Sequence, residues 1–242
     1  MAWKARSSKA RPSVPIGTRV YAVGDLHGCA DLLSAMLRRI DDDLKARPIA
    51  KSVQVFLGDY IDRGPNSRQV IDLLIARSQA QDVQFLRGNH EVCLSQFLSD
   101  PTMLAEWRHL GGINTLLSYG VRPTSDHQSH REVADAFRQA LPDSHRDFIQ
   151  GLALSFTCGD YFFAHAGVRP GIPLDKQRQH DLLWIRDDFL LHEEDFGKVV
   201  VHGHTPTVEP VVKSNRINID TGAYATGRLT CLVLDGDKIS FL

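Results

Sequence analysis

The sequence predicts a mixed α/β fold carrying a helical insert, and three observations predict it. Up to about residue 99, short apolar runs rich in Val, Ile and aromatic residues alternate with longer amphipathic segments, the pattern of strand, turn and helix units in a largely parallel sheet. Residues 100–150 break that rhythm and read as helical and polar. From Leu152 onward strands dominate, with hairpins expected at Gly159-Asp160, Ser214-Asn215 and Gly236-Asp237, so the second half builds mixed or antiparallel sheet.

Taken in order, the chain opens on Lys4, Arg6, Lys9, Arg11 and Arg19 before its first acid, Asp25. Residues 1–16 are rich in Ser, Ala and Pro and read as a disordered basic tail. Residues 17–242 read as one catalytic domain, since no Pro/Ser/Gly linker divides them. A first strand is expected over 19–23, followed by a helix over 30–45 with Leu32, Leu33, Met36, Leu37, Ile40 and Leu44 on one face. The unit repeats as a strand over 53–57 with a helix through Val70, Ile71, Leu74 and Ile75, then as a strand over 83–86 with a helix from about Glu91. The insert holds Trp107, the pair Gly111-Gly112, a loop over 123–129 and an amphipathic helix near 132–140. Its expected place is beside the mouth of the site, with Trp107 either lining a substrate groove or filling core.

Composition narrows the function. A balance of 28 basic against 29 acidic residues argues against broad nucleic-acid binding. No stretch approaches the ~18 apolar residues of a membrane span, and no apolar leader follows the tail, so no membrane partner is expected and the location is read as cytoplasmic. The cysteines, Cys29, Cys93, Cys158 and Cys231, form no CxxC pair and fit reduced thiols. No internal repeat or heptad indicates a scaffold.

The chemistry is concentrated where apolar runs stop. Five do so at Asp, His or Asn: YAVGDLHG at 21–28, VQVFLGDYIDRGP at 53–65, FLRGNHE at 85–91, FFAHAG at 162–167 and VVVHGHTP at 199–206. In open α/β sheets the carboxyl ends of strands face the ligand crevice. Asp25 and His27 are two residues apart, as are His202 and His204, so in extended backbone each pair projects to one side. With Asp59, Asn89 and His165 they make seven ligand-type side chains, if their strands are neighbours. A mixture of imidazole with carboxylate or amide oxygen suits Mn²⁺, Fe or Zn²⁺ better than calcium.

Seven ligands exceed what one ion with open positions needs, which points to two divalent ions with Asp59 as the bridge. Two ions ~3.5–4 Å apart activate a bridging water as hydroxide and brace an in-line displacement at phosphorus. Asp62 beside His90 would stabilise an imidazolium able to protonate a leaving alkoxide. Arg63 would hold phosphate oxygens bidentately. Arg87 and Arg186 are further phosphate-binding candidates or structural ion pairs. The remaining histidines (His109, His127, His130, His145, His180 and His192) lack ligand spacing and read as surface or packing residues.

The blocks GDLHG, GDYIDRG and RGNHE, with HAG at 165–167 and HGHTP at 202–206, resemble the signature of calcineurin-like metallophosphoesterases, in particular the phosphoprotein phosphatase branch. The likeness covers about residues 19–225. It implies a two-sheet β-sandwich flanked by helices with a dinuclear site at strand ends. It also implies that Asp25, His27 and His204 serve one metal, that Asn89, His165 and His202 serve the other, and that Asp59 bridges. His90 with Asp62 matches the family's acid pair and Arg63 its phosphate-binding arginine.

Two stretches depart from the pattern. Where the eukaryotic enzymes have a Tyr-containing loop this chain has NIDTGAYATGRL at 218–229, so no C-terminal substrate contact is carried over. DLLWIRDD at 181–188 matches only through LLW, and Arg186 is carried as a second phosphate ligand on that match alone.

The implied activity is that of a bacterial or phage-type serine/threonine protein phosphatase, often manganese-dependent and tolerant of small phosphoesters, acting on a phosphorylated protein or peptide. The alternatives are a symmetrical dinucleoside tetraphosphate hydrolase, a related family that usually has Gln where His27 stands, and a broad-specificity phosphomonoesterase.

Overall fold

The computed structural model describes residues 11–123 and 129–242. Three parallel strands, β1 (Thr18–Val23), β2 (Lys51–Phe56) and β3 (Val83–Phe85), alternate with helices α1 (Ala30–Ala46), α2 (Ser67–Ala80) and α3 (Asn89–Ser99), as the periodicity predicts. Helices α4 (Leu104–His109), α5 (Gly112–Ser118), α6 (His130–Ala140) and α7 (Asp143–Gln150) form the insert. Strands β4 (Ser155–Cys158) and β5 (Tyr161–Ala164) are followed by short helices α8 (Gln179–Trp184) and α9 (Asp187–Leu190). The chain then runs through β6 (Val199–His202), β7 (Val211–Val212), β8 (Arg216–Asn218), α10 (Ala223–Thr226), β9 (Cys231–Asp235) and β10 (Lys238–Phe241). All three expected hairpins are present, at β4–β5, β7–β8 and β9–β10.

The strands form two five-stranded sheets, ordered β10-β9-β1-β2-β3 and β4-β5-β6-β8-β7. Side-chain alternation explains why they stack. In β1, Val20 and Ala22 point to the second sheet and pack with Val53, Val55, Phe163, Val201 and Ile217. Tyr21 and Val23 point the other way, to Leu33, Met36 and Ile40 of α1. On the outer face of the second sheet, Phe162, Ala164 and Val200 pack under Leu182 and Phe189 of α8 and α9. The central strands are therefore buried on both faces, which is why they read as unbroken apolar runs.

This architecture brings the carboxyl ends of β1, β2 and β3 opposite those of β5 and β6. The turns interlock, since the amides of Leu26 and His27 both donate to Asp59 O, at 3.1 and 2.7 Å, and Gly203 N donates to His165 O at 2.8 Å. At Gly203 a side chain would collide with the Asp25 carboxylate, so only glycine lets these strand ends meet.

One expectation about placement changes. Residues 1–10 of the predicted tail, with Thr124–Gln128 of the predicted loop and His127, lie outside the described residues. Within the rest of the tail, Val14 is buried and its amide donates to Gly236 O at 3.0 Å, while Ser13 N donates to Asp160 Oδ2 at 2.9 Å. The chain from about Ser13 is thus part of the sandwich, because Val14 fills the gap between the β4–β5 and β9–β10 hairpins.

Candidate metal centre

Two clusters of ligand-type atoms form at the meeting of strand ends, one of His27, Asp59 and His90 and the other of Asp59, His165 and His204, all buried. Asp59 is common to both. His27 Nε2 lies 3.5 Å from Asp59 Oδ2 and His165 Nε2 lies 3.4 Å from Oδ1. Asn89 Oδ1 joins the second cluster, 3.0 Å from His165 Nε2 and 2.9 Å from His204 Nδ1. Asp25 is tied in through Oδ2, which accepts from His204 N at 3.1 Å.

Backbone carbonyls orient the rings. Nδ1 of His27 is 3.0 Å from Ile61 O and Nδ1 of His165 is 2.9 Å from Leu57 O, so each turns Nε2 inward, the arrangement that fixes the tautomer of a ligand imidazole. His202 stands at the end of β6, outside both three-residue clusters, with its ring fully buried.

Three buried atoms here have no protein partner: Asp25 Oδ1, His202 Nε2 and His204 Nε2. Orphaned buried acceptors are rare, and three on residues of one donor set indicate ions as the missing partners. Burial holds His27 and His202 down to about 3 and His204 to about 2, so their ring nitrogens keep free lone pairs at neutral pH. Burial, reinforced by Asp220 and Asp59, raises Asp25 well above the ordinary carboxylate range. For Asp59 burial acts upward, but the surrounding imidazoles, His165 first, hold its carboxyl well below that range. Two divalent cations would relieve this crowding of buried acids.

The backbone is strained at the same place. Among the described residues, five that are not glycine have positive φ: His27 at 42°, Asp59 at 51°, Asp62 at 70°, Arg63 at 64° and His204 at 66°. Left-handed conformations of this kind cluster at functional sites, where surrounding bonds hold them. Much of that holding comes from Glu91, whose carboxylate accepts from the amides of Gly88 (2.9 Å), Asp59 (3.0 Å) and Tyr60 (2.8 Å). A Glu three residues beyond a turn glycine is a helix-start signal in the sequence, but its span to Asp59 and Tyr60 is not.

His90 and Asp62 form a buried pair, with Nδ1 and Oδ2 2.7 Å apart. Burial opposes the charge on His90, yet Asp59 and the bond to Asp62 raise its pKa above the usual value. The insert holds Asp62 from the other side. Thr115 Oγ1 donates to Oδ1 at 2.6 Å and Trp107 Nε1 donates to Oδ2 at 2.9 Å. Trp107 is only 1% exposed, so it fills core and steadies the acid rather than lining a groove. Trp107→Phe, which keeps the ring packing against Phe97 and Phe137, is expected to cost about 1–3 kcal/mol because a buried carboxylate loses a donor. Equilibrium urea unfolding checks this, and an unchanged midpoint would rule the bond out as stabilising.

Arg63 lies beside His90, Nη2 to Nε2 at 3.5 Å. Arg186 is exposed at the mouth, where Nη1 donates to Thr205 Oγ1 at 3.3 Å, and it adds to burial in disfavouring charge on His165 and His204. Of the two readings offered for Arg87 the structural one fits, with carbonyls in place of an ion pair: its Nη2 donates to Ile149 O and Gln150 O at 3.1 and 3.0 Å, closing the end of α7. His145 is a packing residue, buried between Tyr119 and Asp72. Sequence reasoning missed Tyr224, which stands over Arg63, and Asp220, which lies close enough to Asp25 to raise its pKa.

The family model described as calcineurin-like phosphoesterase matches residues 18–232. The chain is 30% identical over 220 residues to serine/threonine-protein phosphatase 1 of Salmonella typhimurium, covering 87% of this chain and 89% of that one. It is 27% identical over 236 residues to an asymmetrical bis(5'-nucleosyl)-tetraphosphatase PrpE of Anoxybacillus flavithermus, covering 87% and 88%. Among solved structures, one provisionally assigned as a diadenosine tetraphosphatase superposes with a TM-score of 0.62 at 20% identity over 96% of this chain and 98% of that one, a likeness of fold alone. Among the described residues no helix is long and apolar enough to cross a membrane.

Proposed function

Since this chain belongs to the calcineurin-like phosphoesterase family, a family of metal-dependent hydrolases, we propose that it removes phosphate from serine and threonine in proteins. Asp25 and His27 would hold one divalent ion and Asn89, His165 and His202 the other, with Asp59 shared and Mn²⁺ the preferred metal; His204, expected on the first ion, has its ring with Asp59, His165 and Asn89 instead. When bound, the ions supply an activated water and neutralise charge building on the phosphoryl oxygens. Arg63 grips two phosphate oxygens and Arg186 a third from the rim. His90 gives its proton to the departing oxygen. The reading places the chain in the cytoplasm, in keeping with its free thiols.

One observation carries the choice of a phosphomonoester. His90 Nδ1 is committed to Asp62, which leaves Nε2 facing Asp59 Oδ2 at 3.7 Å and Arg63. A proton donor placed there serves a leaving group that is a poor anion. The alkoxide of serine or threonine needs that proton, whereas a nucleotide phosphate departs readily as an anion.

The second reading is an asymmetrical dinucleoside tetraphosphatase, favoured by the names of several relatives. His27 speaks only against the symmetrical enzymes named in the sequence analysis. The test compares kcat/KM of chelator-stripped, Mn²⁺-reloaded protein on a phosphoserine peptide and on diadenosine tetraphosphate. A preference of about tenfold or more for the peptide, ~1.4 kcal/mol in barrier, is expected. The reverse preference would transfer the same site to dinucleotides.

A further inference from the structure

The Arg63 side chain has an unusual restraint for a group meant to hold an anion. Its backbone is fixed by the insert: Arg63 N donates to Gly111 O at 3.3 Å and the Asn114 side chain donates to Arg63 O. Gly111 has φ of 95°, and a side chain there would come within 2.6 Å of Arg63 N. Beyond the backbone, no carboxylate pairs with the guanidinium among the described residues. The guanidinium instead lies over the ring of Tyr224, Cζ 4.6 Å from the ring centroid. The same ring meets His27 edge-on at 5.3 Å.

Tyr224 is well placed to act as a fixed surface. It sits in α10, a single turn closed on both sides by left-handed glycines, Gly222 at φ 64° and Gly227 at 71°. Thr226 Oγ1 donates to Thr221 O at 2.8 Å, and Thr221 Oγ1 donates to Arg228 O at 2.9 Å, so the loop is bonded to itself. Tyr224 remains 43% exposed at the mouth.

We propose that Tyr224 is a positioning residue that holds the Arg63 guanidinium beside His90 by its ring face, leaving its N–H donors, apart from the Nη2 that meets His90 Nε2 at 3.5 Å, free for phosphate. The physical distinction is from a carboxylate partner. A carboxylate would orient the arginine equally well, but it would occupy the donor edge and cancel the charge that attracts an anion. An aromatic face contacts the π surface of the guanidinium and consumes no donor. The proposal rests on reading Arg63 as a phosphate-binding group.

The test measures binding of inorganic phosphate to the full-length, Mn²⁺-loaded protein by calorimetry, with metal content determined for each variant. Tyr224→Leu is expected to weaken phosphate binding ~2- to 30-fold, the range of a cation–π contact from exposed to desolvated. Tyr224→Phe keeps the ring and is expected to restore affinity to within about twofold. In an Arg63→Met background, Tyr224→Leu should cost nothing further, because a positioning residue has no effect once its target is gone.

An equal loss in the Arg63→Met background, a Phe variant as weak as Leu, a loss of Mn²⁺ with Tyr224→Leu, or an absence of phosphate binding by the parent protein would each overturn the proposal. Failure of the phosphatase reading looks different. Phosphate binding would then still depend on Tyr224 through Arg63, while the phosphoserine peptide is not turned over.

Discussion

Asp59→Asn is expected to lower phosphoester turnover by about 10³-fold or more, since several kcal/mol of transition-state stabilisation depends on both ions being in place. The substitution is nearly isosteric. The remaining side-chain oxygen still accepts from His90 N, a bond of 3.2 Å in the parent, so the turn is kept while the charge shared by both clusters is lost. Metal content should fall below two Mn²⁺ per chain. The thermal stabilisation that Mn²⁺ gives the parent should shrink accordingly, since a ligand that binds only the folded state adds about 2.7 kcal/mol at one hundred times its Kd. A variant that keeps two ions and turnover within an order of magnitude of the parent would show that Asp59 does not bridge.

His90→Asn should reveal the acid by its dependence on the leaving group. On a phosphoserine peptide the loss is expected to be about 10²- to 10⁴-fold, the usual contribution of a positioned proton donor. On p-nitrophenyl phosphate, whose phenolate leaves without help, the loss should be small. Asp62→Asn should follow the same pattern in weaker form, because it removes the partner that holds Nδ1 and stabilises the imidazolium. The cluster of His27, Asp59 and His90 also allows His90 to be a ligand. Equal losses on both substrates, accompanied by loss of Mn²⁺, would assign it there.

The turn residues differ in how they became legible. Asp25, His27, Asp59, Asn89, His165, His202 and His204 stand at the ends of apolar runs, and that position is visible in one dimension because a strand buried on both faces leaves a continuous signal. The alternation of β1, α1, β2, α2, β3 and α3 was legible for the same reason, as were the three hairpins from their turn dipeptides. The sequence also placed His90 and Asp62 together through their motifs, and the structure puts them 2.7 Å apart.

Tertiary structure alone decided the rest. The β9–β10 hairpin leaves its neighbours in the chain and joins the first sheet beside β1, a pairing that depends on which apolar faces fit and not on any local pattern. Val14 reads as part of a polar tail because the core that buries it is assembled from strands of both halves of the chain, among them those of Val20, Val53, Tyr161 and Leu234. Thr115 looks like an ordinary insert residue, and Trp107 reads equally as groove or core, until their helices are packed under Asp62; Arg87 reads as a phosphate ligand or a structural pair until α7 ends against it. Tyr224 lies in the stretch set against the family's Tyr-containing loop, but its place over Arg63, 161 positions distant, is not local information. The sequence by itself determined which ligand-type side chains stand at strand ends, since residue type and turn position are local. Their left-handed backbone angles, their shared Asp59 and the ring over Arg63 were decided by packing between segments far apart in the chain.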